Sequence, residues 1–183
     1  GTAAHNTVEI DGQDSSEVWG GFRVARRAYP RDLRIQENPA AGKAVPRLSE
    51  IENGVFAAGN PAPAVIVSCA HDGYRRLPGK PMHRREWKFS TDGLRVHDTI
   101  KGDFREAVGR FHFHPDIKIM PTSADGAEGK IVLPEGREIS WRIENGRGRL
   151  SDTTWHPEFG VSLPNQCLEV HFDGRETIFN LSW

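Results

Sequence analysis

The stretch HRREWKFSTDGLRVHDTI, residues 83–100, carries the signal that decides the fold of this chain. Two runs in which apolar and polar side chains alternate flank the segment STDG, residues 90–93. Alternation with a period of two is typical of antiparallel strands, and Asp-Gly is common in tight turns. The stretch is therefore predicted to form a β-hairpin.

The position of the turn also predicts which side chains face each other across this hairpin. Counting outward from the turn yields three facing pairs: Phe89 with Leu94, Trp87 with Val96, and Arg85 with Asp98. The last pair puts two opposite charges on the side of the hairpin that otherwise carries apolar residues. We interpret this charged pair as structural.

Runs of the same kind recur along the chain, whereas segments with a helical period are almost absent. We predict strands over 6–11, 21–28, 64–70, 83–89, 94–100, 107–114, 129–133, 138–144, 166–172 and 176–182. Such strands, separated by Gly, Pro, Asn and Asp, suit an all-β, antiparallel two-sheet sandwich with few or no helices. The 183 residues are enough for a single domain over 1–183.

Two other segments complete the predicted architecture. The closing stretch FDGRETIFNLSW, residues 172–183, is predicted to form a second hairpin with a tight turn at Asp173-Gly174. Its last strand is expected to pack through Phe179, Leu181 and Trp183. Residues 36–63 are rich in Pro, Gly and Ala, which predicts a long loop at the edge of a sheet.

The composition excludes several classes of partner. Lys and Arg number 24 against 25 Asp and Glu, a formal net charge of −1, so no overall field attracts nucleic acid or a membrane surface. No stretch approaches the roughly 20 consecutive apolar residues of a membrane span. Cys69 and Cys167 lie in apolar runs and are predicted to be buried free thiols, with a disulfide between them as the alternative.

Histidines mark the first candidate sites. In FHFHP, residues 111–115, His112 and His114 leave the same face of a strand, which is either half of a zinc site or a polar face opposite two core phenylalanines. His83 is either a core histidine or a metal ligand. Near the amino end, in AHNTVEIDGQD, the polar residues from His5 to Thr7 directly precede an alternating strand, whereas residues 1–4 by themselves predict a frayed terminus.

The segment CAHDGYRRL, residues 69–77, ends an apolar strand and carries a second cluster of polar residues. Asp72-Gly73 is a turn signal, which makes the segment structural in one interpretation. In the other, Tyr74 and the arginines that follow converge on a cleft, where guanidinium groups bind carboxylates.

The opening AHNTVEIDGQDSSEVWGGFRVARRA, residues 4–28, resembles the start of the C-terminal domain of the heparinase II/III-like polysaccharide lyases. The motifs HDGY, HRREW with LRVHDTIKG, FHFHP and HPEFG then follow in the order of that family, so the resemblance covers essentially the whole chain. It implies a β-sandwich that follows an N-terminal α/α toroid, with the substrate cleft between the two. The chain, which opens on Gly-Thr-Ala-Ala, is accordingly interpreted as a domain of a longer protein without its toroid.

The resemblance also implies an activity. Members of the family cleave uronate-containing polysaccharides by β-elimination, so the expected partners are an acidic polysaccharide and the missing toroid, which contributes an asparagine and a tyrosine. The expected location is periplasmic or secreted, at the bacterial cell envelope. Removal of the proton beside a uronate carboxylate requires a base, an acid for the leaving oxygen and a group that neutralises the carboxyl.

By the same resemblance, His5 is the expected base or charge-neutralising donor, and Asn6 is expected to orient it. Three further residues are expected to bind substrate: Tyr74, Arg75 and Arg23. Some relatives hold a structural zinc or calcium ion in the sandwich.

Two positions here would be tested for such an ion, Asp72 and His83. The second histidine of some relatives is replaced by Thr7, which puts the metal in question. The alternative function is a non-catalytic carbohydrate-binding or structural sandwich of exopolysaccharide assembly, in which Trp19 and Trp155 stack on sugars.

Overall fold

The computed structural model describes residues 1–20, 23–37 and 64–183. Within these ranges the chain forms a short 3-10 helix, Thr2–Ala4, and fourteen strands. The strands are β1 (Val8–Ile10), β2 (Glu17–Gly20), β3 (Arg23–Arg26), β4 (Pro30–Glu37), β5 (Val65–His71), β6 (Met82–Ser90), β7 (Gly93–Lys101), β8 (Ala107–His112), β9 (Lys118–Pro121), β10 (Glu128–Val132), β11 (Glu138–Glu144), β12 (Gly146–Trp155), β13 (Leu163–Phe172) and β14 (Glu176–Ser182).

The strands assemble into two antiparallel sheets that face each other and a separate two-stranded ribbon. The larger sheet has the order β4-β5-β6-β7-β14-β11-β10-β9, and the smaller sheet has the order β1-β8-β13-β12. The ribbon consists of β2 and β3. The predicted all-β, two-sheet antiparallel sandwich is confirmed.

The main core fills the space between the two sheets. Leu168 and Val170 of β13 are fully buried and pack in one cluster with side chains of the larger sheet, among them Val96 and Phe179. Phe111 of β8 stacks on Phe179 with 4.3 Å between ring centroids. Since each fully buried side chain of this size contributes about 1.5–3 kcal/mol, this cluster holds the sheets together.

A second, smaller cluster closes the edge of the sandwich where the chain begins. Val8 and Ile10 of β1 are fully buried against Tyr74, Ile100 and Ala107. The Tyr74 hydroxyl donates a hydrogen bond of 2.7 Å to the backbone oxygen of Val8. This docking fixes the direction in which the preceding residues leave the sheet.

The hairpin of residues 83–100 has the predicted register. Phe89 faces Leu94, Trp87 faces Val96 and Arg85 faces Asp98. The charged pair is buried, with side-chain exposures of 6% and 2%, and the guanidinium binds both carboxylate oxygens, at 2.7 and 2.9 Å. The apolar and turn residues of this stretch therefore determine its pairing locally.

The second predicted hairpin is wrong. Residues 173–175 do connect two strands, but β13 pairs with β8 and β12, whereas β14 pairs with β7 and β11. The turn carries the chain from one sheet to the other, with Gly174 at a φ of +112°. Of the side chains expected to pack, Phe179 is buried, Leu181 is half-buried, and Trp183 is exposed.

Four strands were not predicted: β2, β4, β9 and β12. In β12 the first two inward positions are Gly146 and Gly148, followed by Leu150, so the strand lacks a sustained alternating apolar pattern. A Cβ at Gly148 would overlap the backbone oxygen of Gly126, and a Cβ at Gly146 would lie 2.7 Å from the oxygen of His171. Of the loop predicted for 36–63, the first two residues belong to β4 and the rest lies outside the described residues.

Two expectations from composition are also answered. Cys69 and Cys167 are free thiols, as predicted; Cys167 is buried, but Cys69, also expected to be buried, is only half-buried. Burial raises the pKa of Cys167 to about 11. None of the helical segments in the described ranges has the length and apolar character that crossing a membrane would require.

Candidate functional site

The amino-terminal segment is anchored, so the expected fraying of residues 1–4 is wrong. Thr2 is buried, and its Oγ1 accepts a hydrogen bond of 2.7 Å from the backbone N–H of Ser15. The Thr2 N–H in turn donates to the Asp14 carboxylate. These contacts hold the 3-10 helix against the following turn and leave His5 at its end with an extended backbone.

His5 and Asn6 are then held against the smaller sheet. The Asn6 Oδ1 accepts a hydrogen bond of 2.7 Å from the backbone N–H of His112, and the His112 Nε2 donates to the backbone oxygen of Ala3 at 2.9 Å. The backbone oxygen of Asn6 accepts a third bond, from Arg85 Nη1 at 2.7 Å. The Asn6 side chain therefore binds β8, which positions His5 through the backbone.

A cavity of about 340 Å³ opens beside this segment. Its volume lies in the usual range of ligand sites. The polar and aromatic residues that line it are His5, Asn6, His112, Phe113, His114, Trp155 and Asn165. His5 is exposed, so its imidazole is accessible to a ligand.

The far wall of the cavity is aromatic. The His114 ring meets the Trp155 ring edge-to-face, with 4.6 Å between centroids. Asn165, at the end of this wall, is 7% exposed, and its Nδ2 donates to the backbone oxygen of Phe113 at 2.9 Å. Its Oδ1 is buried and has no hydrogen-bond partner among the residues that the structure describes.

The chemistry of the lining suits an anionic sugar. Among the described residues that line the cavity, none carries a carboxylate. A uronate would meet the His5 imidazole and the Asn6 amide, which can donate hydrogen bonds, and the Trp155 ring, which packs against a sugar face. An imidazole ring can accept or donate a proton, so the site contains a group capable of proton transfer.

A larger cavity, of about 510 Å³, is a poorer candidate for this ligand. Its charged lining residues are Asp11, Asp103 and Arg105. The Asp11 carboxylate accepts hydrogen bonds from the backbone N–H groups of Arg105 and Glu106, at 2.8 and 3.0 Å. The Asp103 carboxylate accepts one from the Arg175 guanidinium at 2.9 Å. Two carboxylates at its walls would repel a uronate, so size alone does not identify the site.

The other predicted substrate-binding residues lie apart from His5. Tyr74 is fully buried, burial raises its pKa, and its hydroxyl is bound to Val8. Arg75 is exposed after β5, and Arg23 is exposed in the β2–β3 ribbon. None of the three is among the described residues that line the 340 Å³ cavity.

Asp72 and His83, the two positions predicted as metal ligands, are both hydrogen-bonded to other protein groups. The Asp72 carboxylate is bound by the backbone N–H of Tyr29 at 3.0 Å and by the Arg31 guanidinium, which together lower its pKa. Both ring nitrogens of His83 are hydrogen-bonded, Nε2 to Asp98 at 2.6 Å and Nδ1 to His71 at 3.2 Å. Among the described residues no group of three or more His, Cys, Asp or Glu side chains is placed to hold a metal ion.

His83 instead belongs to a buried row of polar side chains beneath the site. His71 Nε2 lies 3.2 Å from His83 Nδ1, His83 Nε2 lies 2.6 Å from Asp98, and Asp98 binds Arg85. Burial alone would raise the pKa of Asp98, but the charge of Arg85 and the hydrogen bond from His83 lower it to about 2. Burial lowers the pKa of His71 to about 4. The core-histidine alternative for His83 is the one that the structure supports.

Sequence reasoning missed part of this site. Asn165 had no signal, because it lies in a polar stretch before the predicted strand 166–172. His112 and His114 were visible as a pair on one face, but nothing local indicated that this face meets the amino-terminal segment. The bond from Arg85 to Asn6 joins residues 79 positions apart and was equally invisible.

Comparison with known proteins agrees with this architecture. A family model described as "Heparinase II/III-like, C-terminal" matches residues 1–183. No match was found among curated proteins.

Solved structures with the same fold include the heparan sulfate lyase HepC from Pedobacter heparinus, at a TM-score of 0.64 and 10% identity. They also include heparinase III, the BT4657 gene product, at a TM-score of 0.60 and 11% identity. Both comparisons cover 99% of this chain and 24% of the other chain. At these identities the likeness shows the fold alone, and the chain spans about a quarter of the length of those proteins.

Proposed function

This chain belongs to the heparinase II/III-like C-terminal domain family, and from that membership we propose that it forms the sandwich part of a polysaccharide lyase acting by β-elimination on uronate-containing chains. The observation that carries the proposal is the exposed His5 in a cavity whose described lining has no carboxylate. The substrate class proposed is an acidic polysaccharide: a glycosaminoglycan, alginate or a bacterial exopolysaccharide.

In this proposal His5 acts on the uronate at the site of cleavage. It either removes the proton beside the carboxylate or donates a hydrogen bond to the carboxylate, which stabilises the enolate-like charge that develops. Trp155 packs against a neighbouring sugar ring. Proton transfer by a positioned side chain contributes about 10²–10⁴-fold to a rate, so His5 is expected to matter strongly without being the whole of catalysis.

The remaining groups are proposed to come from an N-terminal α/α toroid. The solved lyases with this fold are about four times as long as the chain, which covers 24% of each. A toroid facing the cavity would exclude water and contribute the second acid–base group. We also propose a periplasmic or secreted location, since polysaccharides of this class lie outside the cytoplasm.

The test is a lyase assay on the full-length gene product. Heparan sulfate, alginate and bacterial exopolysaccharides would be supplied in turn, and the ultraviolet absorbance of the unsaturated uronate product would be followed. We expect His5→Ala to lower kcat by about 10²–10⁴-fold. The matched control is His97→Ala, which removes a half-buried histidine of β7 that pairs with Glu176 outside the cavity. Absence of product from every polysaccharide, or full activity of His5→Ala, would reject the proposal.

A non-catalytic carbohydrate-binding role is the second candidate, favoured by the aromatic wall at Trp155 and by Trp19, which is 75% exposed on β2. Calorimetric titration with acidic oligosaccharides separates the two roles. If binding is the whole function, Trp155→Ala weakens affinity, His5→Ala has little effect, and no unsaturated product forms.

A further inference from the structure

Arg85 connects the interior of the larger sheet to the segment that carries His5. It lies in β6, is 5% exposed, and uses all three guanidinium nitrogens. Nε and Nη2 bind the Asp98 carboxylate at 2.7 and 2.9 Å, and Nη1 donates to the backbone oxygen of Asn6 at 2.7 Å. A residue of one sheet therefore holds the chain just before β1 of the other sheet.

The orientation of Arg85 is itself fixed by the buried row of polar side chains. The Gly73 N–H points at Nδ1 of His71, which leaves the His71 proton on Nε2, from where it is donated to His83. His83 then carries its own proton on Nε2 and donates it to Asp98. Each donor in this row has one acceptor, so Asp98 stays ionised and can bind Arg85 at two points.

Aromatic rings enclose the guanidinium on other sides. Its central carbon lies 5.3 Å from the ring centroid of Phe111 and 6.0 Å from that of Trp87. Rings at these distances attract a cation and leave it little room to move. The position of Nη1, and hence of the Asn6 oxygen that it binds, is set by the core of the sandwich.

We infer that Arg85, oriented by Asp98, is the positioning residue that holds His5 against the cavity. The inference rests on the proposed lyase function for its kinetic consequence, but its structural content does not depend on it. Among the described residues that line the cavity, the only hydrogen bond that Arg85 makes is to the backbone of Asn6, so we expect it to act on the reaction through the placement of His5. Displacement of a reacting group by about 1 Å costs about 100-fold in rate.

Lysine cannot replace this arginine. A single ammonium group can neutralise Asp98 or bind the Asn6 oxygen, but it lacks the planar fork that does both at fixed angles. Arg85→Lys therefore keeps the buried charge pair and loses the positioning. Arg85→Met combined with Asp98→Asn removes both charges together, keeps an acceptor for His83, and also removes the bond to Asn6.

The experiment compares these two variants with Arg84→Met in the full-length gene product. Arg84 precedes Arg85 on β6 but points the other way, with Nη1 on the Ser68 hydroxyl at 3.1 Å. We expect kcat to fall about 100-fold in both Arg85 variants, with KM changed less than about threefold, because substrate contacts remain while the reacting group is misplaced. Arg84→Met should retain wild-type kcat.

Amide hydrogen exchange, followed by mass spectrometry on the peptide that covers residues 4–7, is the readout that does not need activity. The Thr7 amide donates a hydrogen bond of 2.8 Å to the His5 oxygen. Loss of the charged hydrogen bond to Asn6 should speed hydrogen exchange at this amide on the order of tenfold. Arg84→Met should leave this exchange unchanged.

The outcomes separate this inference from the proposed function. Wild-type exchange over residues 4–7 in a folded Arg85 variant overturns the inference, whatever happens to kcat. If the full-length protein cleaves no acidic polysaccharide, the proposed function fails and the exchange result still decides the positioning role. If the double variant does not fold, Arg85→Lys carries the same test.

Discussion

Replacement of Asp98 by asparagine should destabilise the sandwich by several kcal/mol. Asp98 is 1% exposed and accepts bonds from His83 Nε2 at 2.6 Å and from two nitrogens of Arg85, at 2.7 and 2.9 Å. In Asp98→Asn the guanidinium stays buried without a counter-charge, and an amide N–H faces one of its N–H groups. Breaking a buried pair in this way costs about 3–5 kcal/mol.

Urea unfolding followed by tryptophan fluorescence measures this loss. With an m value of about 2 kcal/mol per M, a loss of about 4 kcal/mol moves the midpoint by about 2 M. The matched control is Glu128→Gln, which removes the charge from an exposed pair with Arg142 at 2.7 Å and should cost less than about 1 kcal/mol.

The double variant of Asp98→Asn with Arg85→Met tests the cause. Because it removes both buried charges, it should recover most of the stability lost in Asp98→Asn. Two results would refute the reasoning: a loss in Asp98→Asn no larger than in the Glu128→Gln control, or a double variant as unstable as the sum of its single variants.

Two further predictions concern pH and packing. Burial lowers the pKa of His71 from 6.5 to about 4, so between these pH values the unfolded chain binds a proton that the folded chain does not. The free energy of unfolding should therefore fall by up to about 3 kcal/mol as pH drops from 6.5 to 4. In urea titrations, His71→Gln should flatten this dependence on pH. An unchanged slope in that variant would contradict the assignment. A Cβ at Gly129 would overlap the buried Trp141 ring, so Gly129→Ala should cost about 1–3 kcal/mol. The control is Gly20→Ala, whose Cβ would have no described atom within 4 Å and which should cost little. Equal losses in the two variants would contradict the packing.

The amino-acid sequence by itself determined ten of the fourteen described strands and the register of the central hairpin. Both depend on local properties: alternation decides which face of a strand is buried, and the turn at residues 90–93 decides which residues face each other. The strand β12 escaped prediction because its first two inward residues are glycines, and no local pattern reveals the close backbone approach that requires Gly148.

Only the tertiary structure decided where the strands go and what they bring together. The turn at residues 173–175 is compatible with a hairpin, yet β13 and β14 find their partners in opposite sheets. The candidate site has the same origin: the Asn6 side chain meets the backbone of His112 across 106 positions, and Arg85 reaches Asn6 from the other sheet. Contacts between such distant segments depend on how two sheets pack, which no short stretch of residues encodes.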